Sequence, residues 1–337
     1  MRKDNLADNR GVESAQQDHW SRTQEAGTLI GMRFLYLIHR VFGRWVFSLL
    51  MYPVSFYFVL FRPKQRRASL QFLSAHYYKN AGFWRVKPNV FHVLRHFKSF
   101  ADVILEKLLG WIINIEESDF YLVDPIAVEK LLSDSRGQLI IGSHFGNLEF
   151  CRGFVQRDKG KTINILVFEK HAGNFVRMMQ KNHPNSRVNV FQVDELNISS
   201  ILTLKEKINA GEWVFIAGDR IPLSGLKSVV SVEFYGRQAC IPIGPYMFAK
   251  ALACPVSYMF AYRSPARENK IVFDVVTVSE KLTVSNRSAI DDLRFFAQRY
   301  ATKLEEHSAQ APYQWFNFYD FWADPAETFA SASEKCN

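Results

Sequence analysis

The sequence predicts an α/β protein with a mixed, mostly parallel sheet flanked by helices, preceded by a helical, membrane-associated N-terminal region. From about residue 116 onward, short apolar runs typical of strands alternate with amphipathic runs typical of helices. Such alternation with short turns indicates a sheet that is covered on both faces. Near the N terminus, a long apolar run without charge lies between basic segments, which is typical of a membrane-associated element.

The composition narrows the classes of partner. The chain has 337 residues and a formal net charge of +9, which favours membrane phospholipid, phosphorylated lipid, an acidic carrier protein or nucleic acid. We expect no nucleic-acid partner, because no nucleic-acid motif accompanies the dispersed lysines and arginines. The 29 phenylalanines suggest contact with an apolar ligand or a bilayer. The four cysteines lack metal-binding spacing, so we predict reduced thiols and no metal site.

Four regions follow from the order of these patterns. Residues 1–27 are charged and Gln-rich, which predicts a flexible tail, and their polarity argues against a cleavable signal peptide. Residues 28–115 are predicted to form the helical, membrane-associated region, and residues 116–323 the α/β domain. Residues 324–337 are predicted to be a second flexible tail.

The apolar run at residues 45–61 sets the expected relation to the membrane. Its length is at the lower limit of the roughly 17–25 residues that span a bilayer, and Pro53 interrupts it. Basic residues flank both ends, whereas an oriented span needs asymmetric flanks. We therefore predict an element that lies in the cytoplasmic interface of the membrane; an internal core helix is the alternative.

Residues 65–115 are predicted to be helical and basic. A stripe at helical spacing predicts a core-facing side: Phe91, Leu94, Phe97, Phe100, Ile104 and Leu108. His92 and His96 are four residues apart, but no third ligand accompanies them, so we interpret them as part of a solvated face and not as metal ligands.

The α/β region divides into recognisable elements. Strands are predicted near residues 139–141, 163–168, 188–193, 213–217, 229–234, 256–261 and 271–278. Helices are predicted near residues 147–156, 174–182, 199–209, 245–253 and 288–306. The very aromatic segment 312–322 should pack on the core or on a bilayer.

The clearest candidate for chemistry follows the first of these strands. His144 comes after the apolar run 139–141, and an acid, Glu149, follows five residues later. Helical positions five apart diverge by about 140°, so the two side chains meet only if His144 lies in the loop. Asn147 would then cap the helix whose first turn carries Glu149. A histidine held by a carboxylate is a general base; a capped helix with a buried histidine is the alternative.

A second candidate follows the strand at 213–217. Arg220 offers a planar fork for a phosphate or a developing oxyanion. Asp219 could orient Arg220 or give His144 a second carboxylate. A structural ion pair at the strand end is the alternative for both residues. Arg237 and Lys227 are possible phosphate contacts or ordinary surface cations.

The stretch Gly142–Glu149 resembles the His-x4-Asp/Glu motif of the lysophospholipid acyltransferase superfamily, and its flanks are closer to the lipid A biosynthesis acyltransferase branch. Three further stretches are similar to that branch in the same order: 215–222, 232–250 and the pair Gln314–Trp315. The Pro-Glu-Gly block of the glycerol-phosphate branch is absent. Glu149 stands where Asp is commoner, which lengthens the reach to His144 by one methylene.

The resemblance implies an acyltransferase. It would move a fatty acyl group from an acyl thioester, carried by acyl carrier protein or coenzyme A, to a hydroxyl of a membrane lipid or glycolipid. It would need no cofactor and would work at the cytoplasmic face of the bacterial inner membrane. His144 and Glu149 would form the catalytic dyad, and backbone N–H groups near Gly146 would stabilise the oxyanion. The substrate-binding residues would be Asp219, Arg220, Gly146 and Asn147.

Two other functions stay open on sequence alone. A thioesterase or lipid hydrolase could use the same scaffold, although Ser143 lacks the GxSxG context of a nucleophile. A non-catalytic, membrane-bound interaction protein would make the His144 motif dispensable. For an acyltransferase, the acceptor is open between a lipid A precursor, another glycolipid and an aryl-polyene-type lipid.

Overall fold

The structure is a computed structural model that describes residues 41, 49, 51–109, 116–159, 161–167, 187–193, 196–221, 228–279, 282 and 289–322. The predicted tails at 1–27 and 324–337 and the helix predicted at 174–182 lie outside the described residues.

Within the described residues, seven helices have their full bounds. They are α1 (Pro63–Lys79), α2 (Val90–Leu109), α3 (Pro125–Ser133), α4 (Leu148–Lys159), α5 (Ile198–Asn209), α6 (Gly244–Leu252) and α7 (Ala289–Gln310). Residues 51–61 are also helical. The strands are β1 (Phe120–Leu122), β2 (Gln138–Gly142), β3 (Ile163–Val167), β4 (Val188–Gln192), β5 (Trp213–Ala217), β6 (Val229–Phe234), β7 (Arg237–Pro242), β8 (Val256–Ser264) and β9 (Lys270–Ser279).

The predicted mixed, mostly parallel sheet is confirmed. Seven strands lie in the order β1-β9-β8-β2-β5-β3-β4. Every neighbouring pair is parallel except β8 with β9, which run antiparallel. The strands β6 and β7 form a separate antiparallel hairpin, whose turn places Tyr235 and Gly236 at positive φ. That geometry is the one that a two-residue hairpin turn requires.

Helices bury both faces of the sheet, because alternate residues of a strand point to opposite sides. Leu139 and Ile141 of β2 join a large core with α1, α5, α6 and α7, whereas Ile140 joins a second core with α3 and α4. All five residues of β2 are buried. The most covered strand of the sheet is therefore the one that leads to His144.

The sequence did not predict three of these elements, namely β1, α3 and β7. The strand β1 has only three residues, which is too short for a periodic signal. The helix α3 does carry local start signals, namely Pro125 in its first turn and Asp124 as an N-cap that accepts a hydrogen bond from Ala127 N at 2.9 Å. The strand β7 begins with the exposed polar residues Arg237 and Gln238, which obscure the apolar pattern of its buried side in the sequence.

Two buried histidines join α1 and α2 to α7 and to the aromatic residues 312–322 that follow it, which we call the C-terminal segment. His76 of α1 bonds the carbonyl of Ala309 through Nε2 at 3.0 Å. His96 of α2 is fully buried and contacts Ser69 Oγ and the Trp315 carbonyl, each at 2.9 Å. The interpretation of His96 as part of a solvated face is therefore wrong: its ring joins two helices to the segment after α7.

The helical residues 51–61 have one buried and one exposed side. Met51, Ser55 and Val59 are buried at four-residue spacing, and Val59 packs on Val93 and Phe97 of α2. The remaining surface is apolar and exposed: Tyr52, Val54, Phe56, Tyr57, Leu60 and Phe61. Across the residues that the structure describes, no helix combines the length and the apolar character needed to cross a membrane.

Candidate active site

The site is built at the carboxyl ends of two adjacent parallel strands. In the pairing of β2 with β5, Gly142 lies opposite Ala217. His144 and Asp219 each come two residues after that pair, so the register brings them to the same place at the sheet edge. The Gly218 N–H donates to the Gly142 carbonyl at 2.9 Å, which continues the strand contact to the two side chains. Open α/β folds characteristically place their sites at this edge.

Asp219 holds His144 through two hydrogen bonds. The ring atom Nδ1 of His144 lies 2.8 Å from Asp219 Oδ1, and the backbone N–H of His144 donates to Oδ2 at 2.8 Å. The indole Nε1–H of Trp315 also donates to Oδ2, at 3.0 Å. The carboxylate is thus surrounded by three donors, which favours its ionised form. The Asp219 side chain is 2 % exposed and that of His144 is 31 % exposed.

The pKa values of Asp219 and His144 are both lowered by their surroundings. Burial alone would raise the pKa of Asp219, but the charge and hydrogen bonds of His144, together with Arg220, outweigh it and lower that pKa. Burial is the main cause that lowers the pKa of His144; Arg220 adds to it, while Asp219 opposes both. At neutral pH the imidazole is therefore mostly neutral, with the proton on Nδ1 facing the ionised carboxylate. Nε2 is then the basic nitrogen.

The loop that carries His144 is fixed from two sides. The C-terminal segment pairs with it, since the Phe316 N–H donates to the His144 carbonyl at 2.9 Å and the Gly146 N–H donates to the Gln314 carbonyl at 2.8 Å. From β8, the Ala261 carbonyl accepts from Asn147 N at 2.8 Å. Gly146 has φ +67°, and a Cβ there would overlap the Ala261 carbonyl oxygen. Only glycine fits this position.

These contacts correct the predicted oxyanion hole. The N–H groups of Gly146 and Asn147 both donate to backbone carbonyls inside the protein, and the N–H of Phe145 donates to Ser143 Oγ at 3.3 Å. They are not turned toward a substrate oxygen, because the loop needs them to close against β8 and the C-terminal segment. Asn147 caps the start of α4, as predicted, because its Oδ1 accepts a hydrogen bond from the Glu149 N–H at 3.0 Å.

The structure does not bring Glu149 to His144 as the sequence analysis expected. The Glu149 carboxylate accepts from Arg152 Nε at 2.6 Å, and both side chains are about nine-tenths buried. These residues are three apart on α4, a spacing at which side chains of opposite charge meet. The carboxylate that hydrogen-bonds the His144 ring is Asp219, which the sequence analysis had weighed only as a second partner.

Arg220 is half-buried next to the His144–Asp219 pair. Its Nη2 donates to the Phe316 carbonyl at 3.1 Å, and its charge lowers the pKa of both members of the pair. The guanidinium is therefore oriented by the same C-terminal segment that holds the His144 loop.

Sequence reasoning gave no site role to Tyr319, and it singled out Trp315 only as part of the Gln314–Trp315 match. Trp315 is fully buried and donates to the Asp219 carboxylate, and the Tyr319 hydroxyl donates to the Asp219 carbonyl at 2.8 Å. Their signal was the aromatic segment 312–322, which predicted packing but not a polar contact with residue 219.

Other chemistries find less support around His144. Ser143 is 1 % exposed and serves the loop as an acceptor, so it is not presented as a nucleophile. Among the described residues, no group of three or more His, Cys, Asp or Glu side chains is arranged to hold a metal ion.

The fold and the site define an α/β enzyme with a carboxylate-held histidine at the carboxyl edge of its sheet. Comparison with known families gives the particular class. The bacterial lipid A biosynthesis acyltransferase family matches residues 93–323, which include β2, β5 and the C-terminal segment. The chain belongs to that family and is an acyltransferase. None of the curated proteins compared with the chain matches it.

Proposed function

We propose that this acyltransferase moves a fatty acyl group from an acyl thioester to a hydroxyl of a membrane lipid or glycolipid, with His144 as the general base. The observation that carries this proposal is the partly exposed His144 ring, which the buried Asp219 holds through Nδ1. A neutral imidazole with a fixed tautomer is suited to take a proton at neutral pH.

The reaction then needs no covalent enzyme intermediate. His144 Nε2 removes the acceptor's hydroxyl proton, and the hydroxyl oxygen attacks the thioester carbonyl carbon. Asp219 stays ionised and stabilises the imidazolium that forms. When the tetrahedral intermediate collapses, the C–S bond breaks and the imidazolium returns its proton to the leaving thiolate. The products are an ester and a free thiol, and the base is regenerated.

Asp219 takes the orienting role that the sequence analysis gave to Glu149. Support comes from the hydrogen bond to His144 Nδ1 and from the three donors that keep the Asp219 carboxylate charged. Glu149 holds Arg152 in the first turns of α4 and so supports the loop indirectly. Arg220 supplies positive charge for the oxyanion of the tetrahedral intermediate, since the loop N–H groups are engaged elsewhere.

We further propose that the exposed apolar side of residues 51–61 attaches the enzyme to the cytoplasmic face of the bacterial inner membrane. Phe56 and Phe61 are more than half exposed, and the basic residues Arg62, Lys64 and Arg67 follow in exposed positions. Apolar side chains next to cations suit the interface of an anionic bilayer. An enzyme at this interface meets a lipid acceptor without extracting it.

The reaction is tested with the full chain in detergent or bilayers, an acyl thioester and a glycolipid acceptor such as a lipid A precursor. Mass spectrometry should detect an acceptor heavier by one acyl group, formed by the wild type and not by His144→Ala. A thioesterase would release free fatty acid at the same rate without acceptor, and that result would contradict the proposal. Lipid extracts of cells with and without the gene then identify the natural acceptor through the same mass shift.

Membrane attachment is tested by replacing two exposed apolar side chains, Phe56→Ser with Leu60→Ser. The matched control removes two exposed apolar side chains of α5, Ile198→Ser with Leu202→Ser. Sedimentation with anionic vesicles should fall several-fold for the first pair and stay unchanged for the control. Equal binding by all three proteins would place the attachment elsewhere.

A further inference from the structure

The turn that joins α1 to α2 presents a group of apolar side chains to solvent. Two of them, Tyr78 and Phe91, are more than two-thirds exposed. Exposed apolar side chains that lie this close together among polar neighbours mark a surface that contacts a partner or a membrane. The group has five members, which we call the turn surface: Tyr78, Phe83, Val86, Val90 and Phe91.

The turn is held in place from its inner side by Trp84. The indole Nε1–H of Trp84 donates to Nδ1 of His76 at 2.7 Å, and its ring packs on Tyr313 with centroids 5.8 Å apart. The guanidinium of Arg95 lies 4.6 Å from the centroid of the same Tyr313 ring. Tyr313 belongs to the C-terminal segment, which holds the His144 loop. The turn surface is therefore fixed relative to the candidate active site.

The charge around the turn surface is positive. Residues 62–101 contain nine lysines and arginines and no aspartate or glutamate. The whole chain has 42 lysines and arginines against 33 acids, so these nine account for its entire formal net charge of +9. Lys79 pairs with Glu305 of α7, whereas Arg85 and Lys87 lie exposed within the turn itself. The partner of this surface should therefore be anionic.

The turn surface adjoins the exposed side of the helical residues 51–61. Leu94 of α2 packs in the same apolar group as Val59, and the Lys98 ammonium lies 5.4 Å from the centroid of the Tyr52 ring. Phe91 comes three residues before Leu94 and seven before Lys98, so the three share one side of α2. Phe91 thus extends the apolar surface that residues 51–61 begin.

We propose that the turn surface is a second membrane-contact surface, which inserts its apolar side chains into an anionic bilayer. This inference rests on the proposed transfer to a membrane lipid and adds a contact that residues 51–61 do not supply. A single interfacial helix can rotate about its own axis, whereas two contacts fix the orientation of the enzyme. Because Trp84 and Tyr313 join the turn to the C-terminal segment, this orientation also fixes the sheet edge that carries His144 relative to the lipid.

The side chains of the turn favour a bilayer over an acidic carrier protein. Both partners would match the positive charge. Aromatic rings beside cations, however, are the combination that suits the boundary between headgroups and acyl chains. Tyr78 shows this combination directly, since the Lys87 ammonium lies 5.6 Å from the centroid of its ring. A carrier protein is therefore the competing outcome of the test.

The apolar contact is tested in the full chain with Val86→Ser combined with Phe91→Ser. The matched control is Leu202→Ser with Ile198→Ser on α5, because the exposed fractions are 56 % and 74 % in the test pair and 56 % and 79 % in the control pair. After equal melting temperatures are verified, sedimentation with vesicles of phosphatidylcholine and phosphatidylglycerol measures the affinity. The test pair should bind about tenfold more weakly than the wild type, and the control pair should bind like the wild type.

The charge contribution is tested with Arg85→Gln combined with Lys87→Gln. Its control removes two exposed lysines of α5 and α6, Lys205→Gln with Lys250→Gln. Each cation near an anionic bilayer contributes about fivefold in affinity, so the test pair should lose on the order of tenfold with phosphatidylglycerol present. With pure phosphatidylcholine vesicles it should bind like the wild type. An equal loss in the test and control pairs would mean that only net charge matters, and it would overturn the proposal.

Insertion is observed directly with an environment-sensitive nitrobenzoxadiazole probe on Val86→Cys. Labelled wild type measures the signal from the native cysteines, and Ile198→Cys is the control position. The emission of the probe at residue 86 should shift to the blue when vesicles are added, because the probe enters the apolar part of the bilayer. The emission at residue 198 should stay unchanged. A probe at residue 86 that stays in water while the protein is bound would contradict the proposal.

Turnover separates this inference from the proposed reaction. With the acceptor in vesicles, Val86→Ser with Phe91→Ser should be slowed as its binding weakens; with the acceptor in detergent micelles it should match the wild type. Unchanged vesicle affinity together with a raised KM for an acyl carrier protein, but not for acyl-coenzyme A, would assign the surface to the carrier and overturn the proposal. His144→Ala should bind vesicles like the wild type. If the wild type transfers no acyl group, the proposed function fails, while sedimentation and the probe still decide the role of the turn surface.

Discussion

Two histidine–aspartate pairs lie close together in this molecule, and they differ in how far the histidine ring is exposed. His144 bonds Asp219 through Nδ1 at 2.8 Å at the open edge of the sheet, with 31 % of its side chain exposed. His307 of α7 bonds Asp274 of β9 through Nε2 at 2.9 Å, with only 6 % exposed. The ring of Phe145 stacks on His307, so a single loop residue separates the two environments.

The difference shows that a short histidine–carboxylate hydrogen bond does not by itself make a base. The neighbours of His307 are the rings of Phe145, Phe260 and Tyr262, which pack around it as core. His144 has Arg220 and Lys107 within electrostatic reach and lies at a strand end. Exposure and nearby cations, more than the length of the hydrogen bond, distinguish the proposed catalytic pair, His144–Asp219, from the buried pair, His307–Asp274.

The largest expected effect is the loss of the base. His144→Ala should lower kcat by a factor of about 10²–10⁴. Its free energy of unfolding should fall only moderately, because the backbone N–H of residue 144 and Trp315 Nε1 still donate to the buried Asp219 carboxylate. Initial rates of acyl transfer and denaturant unfolding measure the two quantities. A folded variant that keeps more than about a tenth of the activity would remove His144 from the mechanism.

The structural pair should respond in the opposite way. His307→Phe keeps an aromatic ring among its neighbours but leaves the buried Asp274 without its partner. The free energy of unfolding should fall by about 3 kcal/mol or more, while kcat of the folded enzyme stays within about threefold. A folded variant as inactive as His144→Ala would mean that both pairs take part in catalysis.

The buried histidines predict how stability depends on pH. Burial lowers the pKa of His96 to about 4 and also lowers that of His76. The unfolded chain then binds more protons below the ordinary value of 6.5, so the free energy of unfolding should fall as pH drops from about 6.5 toward 4. The expected slope is up to about 1.4 kcal/mol per pH unit for each histidine. His96→Gln should flatten the slope, and an unchanged slope would contradict this account.

A smaller effect is expected where the C-terminal segment supports the catalytic pair. Trp315→Phe keeps an aromatic ring in the core but removes one of the donors to the Asp219 carboxylate. A hydrogen bond to a charged group contributes about 1.5–3 kcal/mol, part of which should appear as a kcat lowered about tenfold. Trp213→Phe is the control for removal of a buried indole elsewhere, since its Nε1 has no partner among the described residues. Equal losses in both variants would mean that only packing is involved.

The sequence predicted many of the strands and helices correctly, because residues typical of turns separate them. The predicted strand at 213–217 matches β5, and the predicted helix at 199–209 differs from α5 by one residue. The sequence did not predict that β9 pairs antiparallel with β8, because strand order and direction depend on contacts between distant segments. The short β1 gave too few residues for a pattern.

The sequence predicted which residues belong to the site better than it predicted which carboxylate hydrogen-bonds His144. His144 and Asp219 were both singled out, but which carboxylate meets the ring depends on the register of β2 against β5, which no local pattern encodes. The ion pair between Glu149 and Arg152 follows from their i,i+3 spacing on a helix, so the sequence could have predicted it. The contact of Trp315 with Asp219 joins residues almost a hundred positions apart, so only the folded chain reveals it.

The central claim is that Asp219, and not Glu149, orients the base. Both carboxylates are converted to amides in separate full-length variants, Asp219→Asn and Glu149→Gln, and single-turnover acyl transfer is measured at pH 7.5 after folding is verified. Losing the charge and the fixed tautomer at His144 should lower the rate of Asp219→Asn by on the order of 10²–10⁴. Glu149→Gln keeps an acceptor for Arg152 and should stay within about tenfold of the wild type. The reverse order, with Glu149→Gln inactive and Asp219→Asn active, would contradict the account.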